Sequence, residues 1–302
     1  MINAHLGLTY ACNMNCKHCY VKEKEKKGIR FNQEVLLNRL QELGTFYITY
    51  TMGETLLWPD FPRFAIDAKE RGFYQILLSN GSTIQSRNTV DSLKQYGINK
   101  VGISIDSSIA SVHDENRRFP GAYQKACYAL ELLLKEPKIL TQVAMTISSN
   151  NISEVPFVLQ QLKEIGVNSF SFLWLRHNGE IAPIENAAEY QRIMRFLIQE
   201  RDKNGININV HDFRVDKILH DMYNSGEIGL STMTDMENMN SCHAFYELVL
   251  IDPSGDMYEC NFAKQAFANI YDTSIEEIAK HGINQMPLCG GCNKCNITRT
   301  ID

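Results

Sequence analysis

The chain has 302 residues, 44% of them apolar and 22% charged, with a net charge of -5. That length suits roughly two domains with a sizeable core, and the acidic balance excludes a basic nucleic-acid-binding face. No apolar run is long enough to span a bilayer and the N-terminus lacks a charged-then-apolar export pattern, so the expectation is a cytoplasmic protein with no membrane and no nucleic-acid partner.

The first predicted element is a strand over residues 4–9, where apolar residues alternate. It runs out into Cys12-Asn13-Met14-Asn15-Cys16-Lys17-His18-Cys19-Tyr20, a C-x3-C-x2-C spacing. Three thiolates can hold three irons of a [4Fe–4S] cube and leave the fourth iron open to a small molecule. A zinc site or a redox dithiol are the plainer alternatives, but structural zinc sites are normally closed by four ligands. Of the nine cysteines, eight fall into two groups at the two ends of the chain, which in a reducing compartment favours metal over disulfides. Cys127 stands alone in a helical pattern and reads as a small buried residue.

Residues 21–28 mix charges and end in Gly28, the pattern of an exposed loop that can still cover a site. Asn32 then caps an amphipathic helix containing Leu36, Leu37, Leu40 and Leu43. From here the periods alternate. Strands are predicted at 46–51, 74–79, 99–105, 140–147 and 168–174, and helices at 33–43, 60–71, 86–97, 121–135, 153–165 and 187–203. This alternation predicts βα units around a parallel sheet, six with the first strand, too few for the usual closed eight-stranded barrel. Active residues of such barrels gather at the C-terminal ends of strands. The exits here carry Met52-Gly53-Glu54-Thr55, Ser79-Asn80-Gly81-Ser82, and Ser104 with Asp106 on one face of the fourth strand. They are followed by His113-Asp114-Glu115-Asn116-Arg117-Arg118-Phe119-Pro120-Gly121, then Ile147 and Asn150, then Trp174, Arg176 and His177.

The cysteine spacing, with Tyr20 beside its last member and these segments following in this order, resembles the radical S-adenosylmethionine (SAM) enzymes. The resemblance implies an α/β fold built on a partial (β/α)6 TIM barrel, with substrate entering across its open side. It implies a [4Fe–4S] cluster on Cys12, Cys16 and Cys19, whose open iron is chelated by SAM through its amine and carboxylate. One-electron cleavage of the sulfonium would give methionine and a 5′-deoxyadenosyl radical that removes hydrogen from an unactivated carbon. Gly53 and Glu54 match the family's Gly-Gly-Glu-Pro segment, which binds the SAM amine, although Met52 and Thr55 depart from it. Ser79 and Asn80 stand where the family often has Thr-Asn-Gly. Ser104 and Asp106 would line the ribose and methionine side, Arg117 would meet the carboxylate, and Ile147 would pack on the adenine. Arg118 replaces the family's usual Gly. His113 and Asp114 read instead as a polar loop capping the next helix. Trp174, Arg176 and His177 read equally as substrate contacts or surface, and no acid or base is assigned.

Residues 205–241 read as a bridge with a strand near 206–210, a helix near 215–223 and a polar stretch. The expected organisation is a barrel over 1–210, a bridging region over 211–241 and a small C-terminal domain over 242–302. In the last part, strands at 247–251 and 257–259 flank Asp252-Pro253-Ser254-Gly255-Asp256, a hairpin turn. A short helix follows near 274–280. Cys242 and Cys260 bracket the hairpin, and Cys289, Cys292 and Cys295 follow as C-x2-C-x2-C. Four of these thiolates can surround one centre, zinc or a fully ligated [4Fe–4S] cluster. The spacing resembles the SPASM extension of radical SAM maturases. With five cysteines and an end at Asp302 it is nearer the shortened twitch form, which implies one auxiliary [4Fe–4S] cluster on Cys242, Cys260, Cys289 and Cys292, with Cys295 able to replace one of the pair.

The resemblance thus implies a SAM-dependent oxidoreductase fed by an external electron donor such as flavodoxin or ferredoxin. The first expectation is maturation of a ribosomally synthesised peptide (RiPP) by a crosslink, thioether or dehydrogenation, although no peptide-recognition domain precedes Cys12. The alternatives are dehydrogenation of a small molecule such as an aminocyclitol alcohol, sulfatase maturation, and a non-catalytic iron–sulfur sensor.

Overall fold

The computed structural model describes residues 2–24, 26–177, 180–212, 214–240 and 248–284. The elements, in chain order, are β1 (Ile2–Gly7), α1 (Gln33–Glu42), β2 (Thr45–Thr51), α2 (Phe61–Glu70), β3 (Tyr74–Ser79), α3 (Arg87–Gln95), β4 (Ile98–Ser104), α4 (Ala110–Arg117) and α5 (Ala122–Leu133). Then come β5 (Leu140–Ile147), α6 (Val155–Glu164), β6 (Ser169–Trp174), the short pair β7 (Arg176–His177) and β8 (Glu180–Ile181), α7 (Ala187–Asn204) and β9 (Asn207–His211). The chain continues through α8 (Val215–Asn224), α9 (Leu230–Asn240), β10 (Leu248–Ile251), β11 (Asp256–Tyr258), β12 (Ala268–Asn269) and α10 (Ile275–Asn284).

One sheet organises these elements, in the order β12-β11-β10-β1-β2-β3-β4-β5-β6-β9, and the order does not close on itself. From β10 to β9 every neighbouring pair is parallel, while β11 and β12 are antiparallel. The expected open α/β barrel and its hairpin are therefore present. The 206–210 stretch, which reads as part of a bridge, is β9, paired parallel with β6. Its alternation explains this: Ile208 and Val210 are buried in the same core as Phe170 and Phe172 of β6.

One face of the sheet carries Ile48, Leu77, Val101, Ile103, Val143, Met145, Phe170 and Phe172 into that core, under the helices. Burying one such leucine fully stabilises the fold by about 1.5–3 kcal/mol. The alternate positions face the concave side and include polar or small residues, among them His5, Thr49, Gly102, Ser104, Gln142, Ser171 and Asn209, beside Ile76, Leu78 and Leu173. Side-chain caps start α1, α3 and α7: Asn32, Ser86 and Asn186 accept from the N–H groups of Val35, Thr89 and Glu189 at 3.1, 3.2 and 3.1 Å. Two helices escape an apolar-period reading. The buried residues of α4 are His113 and Arg117, so its inward face is polar, and α9 gives the core Met233 and Met236. Among the described residues no helix is long and apolar enough to cross a membrane.

The hairpin does not stand apart. β10 lies beside β1, and the loop after the cysteines is tied to it. Lys24 Nζ donates to the Ala263 carbonyl at 3.0 Å, Lys27 pairs with Asp256 at 2.6 Å, and Arg30 N–H donates to the Pro253 carbonyl at 2.9 Å. In the turn, Asp252 Oδ1 accepts from the N–H groups of Ser254 and Asp256 at 2.9 and 3.0 Å, and Oδ2 accepts from the Tyr10 hydroxyl at 2.8 Å. Tyr10 lies just ahead of the cysteines, so this bond joins the two ends of the chain. Tyr10→Phe is expected to lower stability by about 2 kcal/mol, the worth of a hydrogen bond to a charged acceptor. A urea midpoint equal to that of the unsubstituted protein would show that the hairpin docks without it.

Candidate active site

The site begins where β1 ends. Thr9 Oγ1 accepts from Ala11 N–H at 3.0 Å, and the Ala11 carbonyl accepts from Glu54 N–H at 2.8 Å. Gly53, at φ 58°, sits against this loop so closely that a Cβ would lie 2.4 Å from the Ala11 oxygen and 2.7 Å from that of Thr9. Only glycine fits there. Among the described residues, the non-glycine residues at positive φ are Met52 (62°) and Arg118 (50°). These are two positions where the sequence departs from the family's glycine. Both turns are left-handed, a shape that glycine adopts freely and a residue with a Cβ does not. Met52 is accommodated because Gly7 has no side chain: a Cβ there would come within 2.7 Å of Met52 Sδ. The methionine packs with Val21, Leu250 and Tyr258.

Glu54 is 1% exposed. Its Oε1 accepts from the Ser79 hydroxyl at 3.0 Å and its Oε2 from Asn80 N–H at 2.9 Å. Burial pushes its pKa up from 4.5 to about 7, against the pull of these donors. Asn80 turns its amide to the cysteine loop, donating to Asn13 Oδ1 at 3.0 Å and to Cys12 Sγ at 3.9 Å.

The three cysteines lie on one loop braced by α4 and α5. Cys16 and Met14 pack on Ala122, and Lys17 N–H donates to the Asn116 carbonyl at 2.8 Å. N–H groups approach the sulfurs: Met14 N–H lies 3.4 Å from Cys12 Sγ, and Arg117 Nη1 lies 3.8 Å from Cys16 Sγ. Burial pushes both thiols up. Among the described residues no three His, Cys, Asp or Glu side chains converge on a single-ion site. A tetrahedral zinc would draw its thiolates to within roughly 4 Å of one another. A cube asks for one thiolate per iron, and the donor set on this loop fits that chemistry.

Behind Cys16 stands a buried ion pair. Arg117 Nε and Nη2 grip the Asp106 carboxylate at 2.7 and 2.9 Å. Burial alone would push Asp106 up, but Arg117, with His18 and His113, holds it below the usual carboxylate range. His113 accepts from Asp106 N–H at 3.1 Å and is pushed down to about 4 by burial. His18 Nε2 lies 3.7 Å from Asp106 Oδ2. Sequence reading passes over both histidines. For His18 the signal was available, since it lies inside the C-x2-C segment. Asp114 caps α5 as expected, accepting from Gly121 and Tyr123 N–H at 2.6 and 2.8 Å.

Ser104 ends β4, half-buried on the concave face. Tyr20 donates or accepts at Thr51 Oγ1 over 3.0 Å and meets the Phe262 ring edge-on at 5.7 Å. Gly53, Glu54, Ser79, Asn80, Asp106, Arg117, Cys12, Cys16 and Cys19 are thus joined in one network. Ile147 is not among them: it is 1% exposed in the main core. Trp174 is buried as well, donating to the Ala182 carbonyl at 2.8 Å. Of the C-terminal cysteines, Cys260 is described. It lies beside Asn261, which meets His5 at 3.0 Å, and two residues before Phe262 on Tyr20. Cys242, Cys289, Cys292 and Cys295 lie outside the described residues.

An open α/β barrel with three thiols on its first strand exit defines the class. A family model described as the radical SAM superfamily matches residues 6–162, more than half the chain. The chain belongs to that superfamily, whose enzymes use SAM and a [4Fe–4S] cluster. It is 24% identical over 287 residues to an AdoMet-dependent heme synthase of Oleidesulfovibrio alaskensis, covering 90% of this chain and 72% of that protein. It is also 24% identical over 287 residues to the antilisterial bacteriocin subtilosin biosynthesis protein AlbA of Bacillus subtilis, covering 92% of this chain and 59% of AlbA. Among solved structures, Streptococcus suis SuiB bound to precursor peptide SuiA shares the fold with a TM-score of 0.69 at 15% identity, over 96% of this chain and 66% of SuiB. Native anSMEcpe with bound AdoMet gives 0.68 at 19%, over 92% and 80%.

Glu54 makes stability depend on pH. Its folded pKa lies above the unfolded one, so the native state holds the extra proton, and stability falls as pH rises from 4.5 to about 7 and levels above it. The loss amounts to about 3 kcal/mol in the ligand-free protein. Glu54→Gln is therefore expected to melt above the unsubstituted protein at pH 8, with the difference shrinking towards pH 5. A difference that ignores pH in calorimetry would contradict this account.

Proposed function

We propose that this chain matures a ribosomally made peptide by SAM-dependent oxidation. Cys12, Cys16 and Cys19 would hold the [4Fe–4S] cluster. Glu54, oriented by Ser79 and Asn80, would accept from the SAM ammonium while Gly53 lets the backbone approach. Ser104 and Arg117 would meet the carboxylate and ribose side, and Tyr20 and Asp106 would hold the surrounding loop in place. Bound together, the cluster and SAM supply a 5′-deoxyadenosyl radical that removes a hydrogen atom from a substrate carbon. Cys260 would join Cys242 and two of Cys289, Cys292 and Cys295 in holding an auxiliary [4Fe–4S] cluster, which would supply an electron acceptor for a two-electron oxidation. The open barrel and the hairpin then have one purpose, to hold the substrate between two redox centres away from water.

The observation that carries this reading is the docking of the Cys260 segment beside the first cysteine group, through Phe262 on Tyr20 and Asn261 on His5. The relatives AlbA, the sporulation killing factor maturation protein SkfB and the mycofactocin maturase MftC support a peptide substrate. So does the SuiB structure with its precursor peptide. A second reading, oxidation of a tetrapyrrole, is favoured by the relatives named as heme synthase and Fe-coproporphyrin III synthase. The barrel wall speaks for the peptide. Lys100 is the only lysine or arginine in β1 to β6 and β9, whereas a macrocycle with several carboxylates calls for several cations. The wall's hydroxyls and amides suit peptide groups.

Anaerobic reconstitution is expected to give about eight irons per chain, two cubes, and Cys16→Ala to abolish 5′-deoxyadenosine formation. A short peptide encoded beside this gene is expected to stimulate that formation, while coproporphyrin leaves it unchanged. Stimulation by coproporphyrin alone would overturn the peptide reading.

A further inference from the structure

Arg117 is held in a way that a contact with SAM alone does not require. It ends α4, is 8% exposed, and reaches two partners at once. Nη2 donates to Asp106 Oδ1 at 2.9 Å, Nε lies 2.7 Å from Asp106 Oδ2 as an ion-pair contact, and Nη1 donates to Cys16 Sγ at 3.8 Å. Asp106 is itself immobilised. Its Oδ1 also accepts from Thr146 N–H at 3.3 Å, its carbonyl accepts from Asn151 Nδ2 at 3.1 Å, and its N–H donates to His113 Nδ1 at 3.1 Å. The planar fork is thereby fixed with one hydrogen aimed at the sulfur.

We infer that Arg117 sets the reduction potential of the cluster bound at Cys16, and that Asp106 trims its effect. The inference rests on the proposed role of Cys12, Cys16 and Cys19. Reduction adds one electron to a centre whose thiolate ligands are already negative. A buried cation that donates to one of those sulfurs stabilises the reduced form more than the oxidised form, so it raises the potential. Asp106 carries the opposite charge next to the guanidinium and offsets part of its field. The two residues therefore act with opposite signs. A purely structural pair would behave differently, because breaking it from either side would disturb the loop in the same direction. Arg117 is in this sense a positioning residue that works through Cys16.

The test uses the anaerobically reconstituted full chain without SAM, titrated potentiometrically while the reduced cluster is followed by electron paramagnetic resonance. Asp106→Asn is expected to raise the potential. Adding Arg117→Gln to it leaves no lone buried charge, and relative to Asp106→Asn is expected to cut the reduced-to-oxidised ratio at fixed potential about tenfold, or about 59 mV for a one-electron couple. Arg117→Lys keeps the charge but loses the fork that aims a hydrogen at Cys16, and is expected to lower the potential below that of the unsubstituted protein, by less than the tenfold step. It carries the test if the double variant loses iron. Potentials unchanged in iron-replete variants, or shifts of one sign for Asp106→Asn and Arg117→Lys, would overturn the inference and leave the cluster reading standing. An unsubstituted protein that takes up no [4Fe–4S] cluster would overturn both.

Discussion

The buried pair of Asp106 and Arg117 is the interaction on which the rest of the site depends. Moving both charges out of water costs several kcal/mol per ion, and the attraction recovers this only when geometry is good and every remaining donor and acceptor is met. Here the guanidinium makes one hydrogen bond and one close ion-pair contact to the carboxylate, and the aspartate is further held from the Thr146 and Asn151 side and by His113. These contacts bind the end of β4, the length of α4 and the exit of β5 into one unit. That unit supports Cys16 from behind and stations His18 beside it. The cysteine loop has two apolar contacts, Met14 and Cys16 on Ala122, and Cys19 and Tyr20 with Val21 and Met52. Polar groups that lie far from it in sequence, Asn80 and Arg117, also hold it.

Two left-handed corners complete the frame. At Gly53 the constraint is absolute, since the Ala11 and Thr9 carbonyls occupy the space of a side chain. At Met52 and Arg118 a residue with a Cβ takes a conformation that costs it roughly 1–2 kcal/mol. At Met52 the added side chain has a role in packing, whereas that of Arg118 is exposed. Met52 reaches across Gly7 to Leu250 and Tyr258 of the hairpin, so the turn that presents Glu54 is packed directly against the C-terminal strands.

The same coupling recurs along the loop after the cysteines. Tyr10, Lys24, Lys27 and Arg30 each contact the hairpin, and Tyr20 meets Phe262. A sheet that includes both β1 and β10 keeps the two ends of a long chain in register.

Much of this was legible in the residues alone, for a local reason. Apolar alternation is a property of adjacent positions, so β2 to β6 and α2, α3, α5 and α6 could be read from period, and the cap at Asn32 from one residue before α1. The C-x3-C-x2-C loop is contiguous, and its chemistry follows from spacing. What tertiary structure decided is where polar groups are buried, because their partners are remote. Arg117 meets Cys16 across 101 positions, and α4 was invisible to apolar period since its inward residues are His113 and Arg117. β9 joined the sheet only because β6 offered a free edge for Ile208 and Val210 to extend the core. Ile147, chosen by its place at a strand exit, proved to lie on the core side of that strand. Periodicity names the face that is buried, while a compensated charge inside a fold can be read only once its partner stands beside it.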